Sequence, residues 1–164
     1  MPISHTLHRE QLVRRPRAEV FAFFSDASNL EAITPDSLRL RILTPTPIAM
    51  REGTEIDYQL SLFGLPFRWR SRIDVWEPGS RFVDVQVRGP YRLWHHTHEF
   101  AEAPEGTLVR DTVRYELPLG PLGELAHALL VRRQVEGIFA HRRRRIEALL
   151  EPRGPRLLLA EPAG

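Results

Sequence analysis

Three titratable residues stand in segments that are otherwise rich in apolar side chains. His96 and His98 lie in the stretch WHHTHEF, and Asp111 lies in the stretch LVRDTVRY that follows it. Residues two apart in a strand face the same side of a sheet, so the two histidines share one face. A carboxylate beside an imidazole fixes its tautomer and raises its basicity. Such a pair suits removal of a proton next to a ketone.

The same three residues have other possible roles. His98 and Asp111 could form a buried polar bridge that fixes the strand register, and a buried carboxylate needs such a partner. His96 could donate a hydrogen bond to a ligand or could simply be buried. Two histidines and a carboxylate also bind zinc or iron in other proteins. Because this face carries no further ligands at its ends, we predict no metal and no cofactor.

Alternating patterns position these residues on a sheet. Short turn signals separate the alternating segments, which predicts antiparallel hairpins. Closing the last hairpin with Glu102 opposite Thr107 places His98 directly opposite Asp111. The predicted strands of this region are 54–62, 67–76, 81–88, 91–101 and 108–117.

The register of the other hairpins is predicted by keeping each face uniformly apolar or polar. Leu62 is placed opposite Phe67, and Arg88 opposite Tyr91, with one bulged residue near Pro78-Gly79. The predicted inner face consists of Ile56, Tyr58, Leu60, Leu62, Phe67, Trp69, Ser71, Ile73, Val75, Val83, Val85, Val87, Trp94, His96, His98, Phe100, Val109, Asp111, Val113 and Tyr115.

The segments on either side complete an α+β pattern. Residues 3–13 are predicted as a strand, two short helices follow as far as residue 35, and 38–43 forms another strand. Residues 120–151 are predicted as one long helix that covers the sheet. Its apolar stripe consists of Leu122, Leu125, Leu129, Val135, Ile138, Phe139, Ile146 and Leu149.

Composition excludes several classes of site and partner. The chain has no cysteine, which excludes disulfides and thiolate metal sites. Its net charge is only +2, so we predict no nucleic-acid partner. The arginines at 68, 70 and 72 and at 142–145 leave membrane contact open. No apolar signal region is found near the N-terminus, which favours a cytoplasmic location. We expect a monomer or a homodimer.

The order of elements resembles the START-like, birch-pollen-allergen-like helix-grip superfamily, also called SRPBCC. The most specific stretch runs from Trp94 through Asp111 to the segment GPLG at 120–123, and it resembles the polyketide cyclase/dehydrase-like bacterial branch. The resemblance covers roughly residues 3–150 and implies one domain over 1–152. The helix-stopping residues Pro152, Gly154 and Pro155 predict a flexible tail over 153–164. It also implies a curved antiparallel sheet of about seven strands that grips the long helix and leaves a cavity between them.

We expect this cavity to bind a hydrophobic or aromatic small molecule such as a lipid, quinone or polyketide, as a carrier or sensor. The alternative is an aromatase/cyclase-type enzyme without a metal, in which His98, Asp111 and His96 are catalytic. Alternatively, the aromatic side chains only pack in the core and contact no ligand. The predicted ligand-binding residues are Tyr58, Trp69, Trp94, His96, His98, Phe100, Asp111, Tyr115 and Ile138.

Overall fold

A computed structural model describes residues 3–151, and seven antiparallel strands form its sheet. The order across the sheet is β1-β7-β6-β5-β4-β3-β2, so the first strand returns to pair with the last. The strands are β1 (Ser4–Val13), β2 (Arg41–Ile42), β3 (Glu55–Leu62), β4 (Leu65–Glu77), β5 (Arg81–Arg88), β6 (Leu93–Ala103) and β7 (Gly106–Glu116).

Helices cover one face of this sheet. Helix α1 (Arg17–Ser25) begins after Pro16, and 3-10 turns follow at Ala27–Ile33 and Asp36–Leu38. The C-terminal helical segment is continuous: α2 (Pro121–Ala126), a π-helical turn (His127–Val131) and α3 (Arg132–Leu150). This is the predicted helix-grip architecture. The predicted tail at 153–164 lies outside the described residues.

The predicted register of the last hairpin is confirmed. Glu102 pairs with Thr107, and His98 pairs with Asp111. Alternation of side chains then places Phe100 and Val109 on the same face, where both are buried.

The predicted register of the β3–β4 hairpin is wrong by two residues. Leu62 pairs with Leu65, and not with the predicted Phe67, because the turn consists only of Phe63 and Gly64. Both have positive φ, 52° and 79°, as the tight hairpin turns of twisted sheets require. A shift of two residues leaves the predicted faces unchanged.

The predicted register between β5 and β6 is wrong by one residue, which exchanges the two faces of β5. Asp84 pairs with His96, in the place predicted for Val83. The connection is longer than the predicted two-residue turn, and the Gln86 side chain closes it through hydrogen bonds to the backbone of Tyr91. Val87, predicted inside, is 46% exposed. The inner face of β5 therefore carries an aspartate.

Two further details of the sheet differ from prediction. The irregularities between β4 and β5 lie at 70–71 and 73–75, and not near Pro78-Gly79. The predicted strand 38–43 is reduced to the two residues of β2, because Arg39 ends the preceding 3-10 turn in a left-handed conformation.

The long helix has the predicted extent but not the predicted apolar stripe. Leu122, Leu125 and Leu129 are 70%, 57% and 61% exposed. A π-helical turn inserts about one extra residue, which rotates α2 relative to α3 by roughly 100°. As a result Gly123 and Val131 turn inward in place of these leucines. None of the described helices is long and apolar enough to cross a membrane.

Candidate functional site

A cavity of about 200 Å³ lies between the inner face of the sheet, the first 3-10 turn and α3. Its walls are mainly apolar, as small-molecule sites usually are. Apolar cavities of similar size hold single aromatic rings in other proteins. Its apolar lining residues include Phe23, Phe24, Leu30, Ile33, Leu38, Met50, Ile56, Leu60, Trp69, Trp94, Ile138 and Phe139.

Six of the nine predicted ligand-binding residues line this cavity: Tyr58, Trp69, Trp94, His96, His98 and Ile138. The other three lie outside its lining. Phe100 packs against the rings of Phe21, Phe24 and Phe82 in the core. Tyr115 shares a hydrogen bond of 2.9 Å with His127. Asp111 lies behind the histidines and contacts both of them.

The predicted contact between His98 and Asp111 is present. Nδ1 of His98 lies 3.1 Å from Oδ1 of Asp111, and Nε2 lies 2.6 Å from Oδ2 of Asp84. Both ring nitrogens of His98 therefore face carboxylate oxygens. An ionised carboxylate can only accept hydrogen bonds, so each nitrogen must supply a proton to be satisfied. The two carboxylates favour the doubly protonated ring and raise the pKa of His98.

His96 differs from His98 in its bonding. Its Nε2 donates to Oδ1 of Asp111 at 2.8 Å, whereas Nδ1 lies 3.7 Å from Asp84, too far for a hydrogen bond. His96 is therefore a neutral imidazole whose Nδ1 lone pair is free to accept a hydrogen bond.

Protonation equilibria follow from these contacts. Burial alone would lower the pKa of His98, but hydrogen bonds to the two aspartates raise it. Burial and the neighbouring charge of His98 lower the pKa of His96 to about 4. Burial alone would raise the pKa of Asp111, but the Arg142 guanidinium and the two histidines hold it well below its usual value. Burial likewise opposes ionisation of Asp84, and the His98 hydrogen bond lowers its pKa.

Arg142 completes this polar end of the cavity. It is 9% exposed, lines the cavity and lies over the rings of Phe24 and Phe139. Its Nη2 is 3.4 Å from Nδ1 of His98 and 3.7 Å from Oδ1 of Asp111. We use the name polar network for Asp84, His96, His98, Asp111 and Arg142.

Asp84 and Arg142 were missed by sequence reasoning. The alternating valines of β5 favour the opposite face as the inner one, which assigns Asp84 to the outside. Arg142 is the first of four consecutive arginines, so the sequence pattern groups it with the exposed ones that follow it. Its spacing from Phe139 and Ile146, three and four residues, places it on the buried stripe and could have identified it.

Within residues 3–151, two sets of side chains have the spacing of metal ligands. Donor atoms of Asp84, His96 and His98 all lie within 4.8 Å of one another, but the nearby Arg142 guanidinium opposes cation binding there. The second set is His5, Glu124 and His127, outside the cavity, where His5 already hydrogen-bonds Glu124 at 2.9 Å.

Comparisons with solved structures find the same fold in proteins of low sequence identity. The chain matches protein CV1439 from Chromobacterium violaceum with a TM-score of 0.70 and 18% identity, over 91% of this chain and 99% of that one. It matches TTHA0849 from Thermus thermophilus with a TM-score of 0.65 and 21% identity, over 88% and 98%. It matches the ginseng major latex-like protein 151 from Panax ginseng with a TM-score of 0.63 and 14% identity, over 92% and 99%.

Among curated proteins, no significant match is found. The family model described as polyketide cyclase / dehydrase and lipid transport matches residues 13–139, which is most of the chain. The chain therefore belongs to the polyketide cyclase/dehydrase and lipid transport family, within the START-like helix-grip superfamily.

Proposed function

We propose that the protein binds a hydrophobic or aromatic small molecule, as a carrier or sensor, in the cavity between the sheet and α3. The observation that carries this proposal is an apolar cavity with a buried polar network at one end. Apolar walls supply affinity, and a few fixed polar groups orient the ligand. Membership of a family that includes lipid transport proteins supports the same function.

The aromatic walls favour a flat ligand. Trp69 and Trp94 meet edge to face with ring centroids 5.4 Å apart, and Tyr91 lies 4.8 Å from Trp94. These three rings all line the cavity. Aromatic side chains pack favourably on other rings in offset or edge-to-face geometry. A lipid, quinone or polyketide with a planar or acyl body fits this description.

Tryptophan fluorescence tests the proposal. We expect the neutral probe N-phenyl-1-naphthylamine to quench Trp69 and Trp94 and to raise the melting temperature, because binding to the folded state alone stabilises it. At a probe concentration of about 100 times Kd, the free energy of unfolding should rise by about 2.7 kcal/mol.

The third tryptophan is a matched control for this experiment. Trp76 packs against Phe21 and Phe82 and does not line the cavity. Replacing Trp69 or Trp94 by Phe should reduce the quenching, whereas Trp76→Phe should leave it nearly unchanged. The absence of quenching and of any melting shift across apolar, aromatic and acyl probes would rule the proposal out.

The second candidate function is an enzyme of the cyclase type. It is favoured by the ionised carboxylate of Asp84 beside the protonated ring of His98, which together offer a general base and a general acid at the cavity wall. The reaction would begin with transfer of a proton from the carbon next to a ketone to the carboxylate.

Proton exchange separates the two candidates. In deuterated water, an enzyme of this type should speed the exchange of the methyl protons of 2-acetylnaphthalene, as followed by NMR, and Asp84→Asn should abolish the acceleration. A carrier should bind the same ketone without accelerating exchange.

A further inference from the structure

The guanidinium of Arg142 has few hydrogen-bond acceptors. It offers five N–H donors. Within residues 3–151 its nearest polar neighbours are Nδ1 of His98 at 3.4 Å, which carries its own proton and cannot accept, and Oδ1 of Asp111 at 3.7 Å, while its buried Nε has no partner. A buried donor without an acceptor is costly. The cavity therefore holds unused donors that a ligand can satisfy.

The guanidinium is also held in place. Its central carbon lies 5.1 Å from the centroid of the Phe24 ring and 5.8 Å from that of Phe139, both within cation–π range. Fixing a donor before binding lowers the entropy lost when a ligand meets it. Arg142 is thus a preorganised donor at the polar end of the cavity.

The charges of the polar network already balance. Asp84 and Asp111 each carry a negative charge, and His98 and Arg142 each carry a positive one. His96 is neutral because only its Nε2 faces a carboxylate within hydrogen-bonding distance. The other charged lining residue, Asp26, is negative.

This balance opposes an anionic ligand. A carboxylate head group would add an uncompensated charge to a buried site, and such a charge is expensive to desolvate. A carbonyl oxygen accepts a hydrogen bond without adding a charge. Arg142 therefore favours a ligand that has an acceptor but no net charge at this end.

We propose, on the basis that the cavity binds a ligand, that this ligand is an uncharged aromatic or acyl compound whose carbonyl oxygen accepts a hydrogen bond from Arg142. Quinones, aromatic ketones and polyketide ketones belong to this class. Free fatty acids and aromatic carboxylates do not.

Three probes of one skeleton test this inference by isothermal titration calorimetry at neutral pH. They are 2-ethylnaphthalene, 2-acetylnaphthalene and 2-naphthoate, which present an alkyl group, a carbonyl and a carboxylate in nearly the same volume. We expect the ketone to bind about 10-fold more tightly than the hydrocarbon, since a hydrogen bond from a charged donor has about that effect. The carboxylate should bind at least about 10-fold more weakly than the ketone, because it leaves a charge uncompensated.

Variants identify the residues responsible. Arg142→Met should bring the ketone within about twofold of the hydrocarbon, since only the hydrogen bond distinguishes them. The matched control is Arg143→Met. Arg143 is the next residue of α3, and its side chain is exposed. Asp84→Asn removes one negative charge and should raise the affinity for 2-naphthoate relative to that for 2-ethylnaphthalene. The wild-type series and Asp84→Asn keep the test decisive even if Arg142→Met does not fold.

The outcomes separate this inference from the proposed function. Binding of the ketone that depends on Arg142, with exclusion of the carboxylate, supports both. Equal binding of all three probes, or preferred binding of the carboxylate, overturns the inference and leaves ligand binding intact. If no probe binds, the proposed function fails together with the inference.

Discussion

At the scale of single residues, two histidines that are adjacent on one face of β6 differ in their hydrogen-bond partners. His98 is held between two carboxylates, whereas His96 has one carboxylate and a free Nδ1. The ring centroids are only 3.7 Å apart, so protonation of one ring disfavours protonation of the other. The pair therefore carries one charge in the neutral range.

The opposite pKa shifts predict where the protein is most stable. The raised pKa of His98 gives a contribution that is complete below the usual value of 6.5 and is lost as pH rises through the raised pKa. The pKa of His96, lowered from 6.5 to about 4, gives a contribution that is complete above 6.5 and is lost as pH falls toward 4. Asp84 and Asp111 contribute fully to the free energy of unfolding above their usual pKa of 3.8. This contribution is lost as pH falls through their lowered pKa.

We therefore expect the free energy of unfolding to be greatest near pH 6.5. Urea titrations across pH 4 to 9 measure it. Between pH 6.5 and 4 the wild-type free energy of unfolding should fall by about 3 kcal/mol because of His96, and His96→Gln should abolish this decrease. His98→Gln should abolish the decrease in the free energy of unfolding above pH 6.5. A profile that the two substitutions leave unchanged would contradict the protonation states assigned to the pair.

The sequence was sufficient to predict part of the polar network. His98 and Asp111 could be paired because a single short hairpin separates them, and its faces allow only one register. Asp84 and Arg142 could not be added by that reasoning. The first depends on a loop whose length is set by the Gln86 side chain, and the second on packing between distant elements.

At the scale of elements, the π-helical turn at His127–Val131 divides the C-terminal helical segment into two parts with different environments. Helix α3 buries Val135, Phe139 and Ile146, whereas the leucines of α2 are exposed. Sequence periodicity predicted the length of this segment well. It could not predict the inserted residue, because an average over about eight turns of helix hides a local change of phase.

The two parts should differ in sensitivity to substitution. Ile146→Ala, at a residue 1% exposed, should lower the free energy of unfolding by about 2–5 kcal/mol through the cavity it creates. Leu125→Ala, at a residue 57% exposed, should change it by less than about 0.5 kcal/mol. Chemical denaturation measures both. A large decrease in the free energy of unfolding for Leu125→Ala would mean that α2 packs its leucines against the rest of the protein.

At the scale of the whole molecule, a wide curved sheet and one long helical segment enclose a space that their side chains do not fill. The core divides into separate clusters: one around α1 with Phe82 and Phe100, one around β7 with Val131 and Val135, and one around β3 with Trp69. The cavity borders on members of these clusters and on the polar network. The alternation of the strands and the motif between Trp94 and GPLG were enough to predict this architecture, but not the shape of the cavity.

The exposed leucines of α2 offer an apolar surface that could compete with the cavity for a ligand. The most direct test of the central claim is therefore an NMR measurement of intermolecular NOEs with bound 2-acetylnaphthalene and methyl-labelled protein. We expect NOEs from the ligand to methyl groups of Ile138 and Met50, which line the cavity, and none to Leu122 or Leu125. NOEs confined to Leu122 and Leu125 would place the ligand on the surface and contradict binding in the cavity.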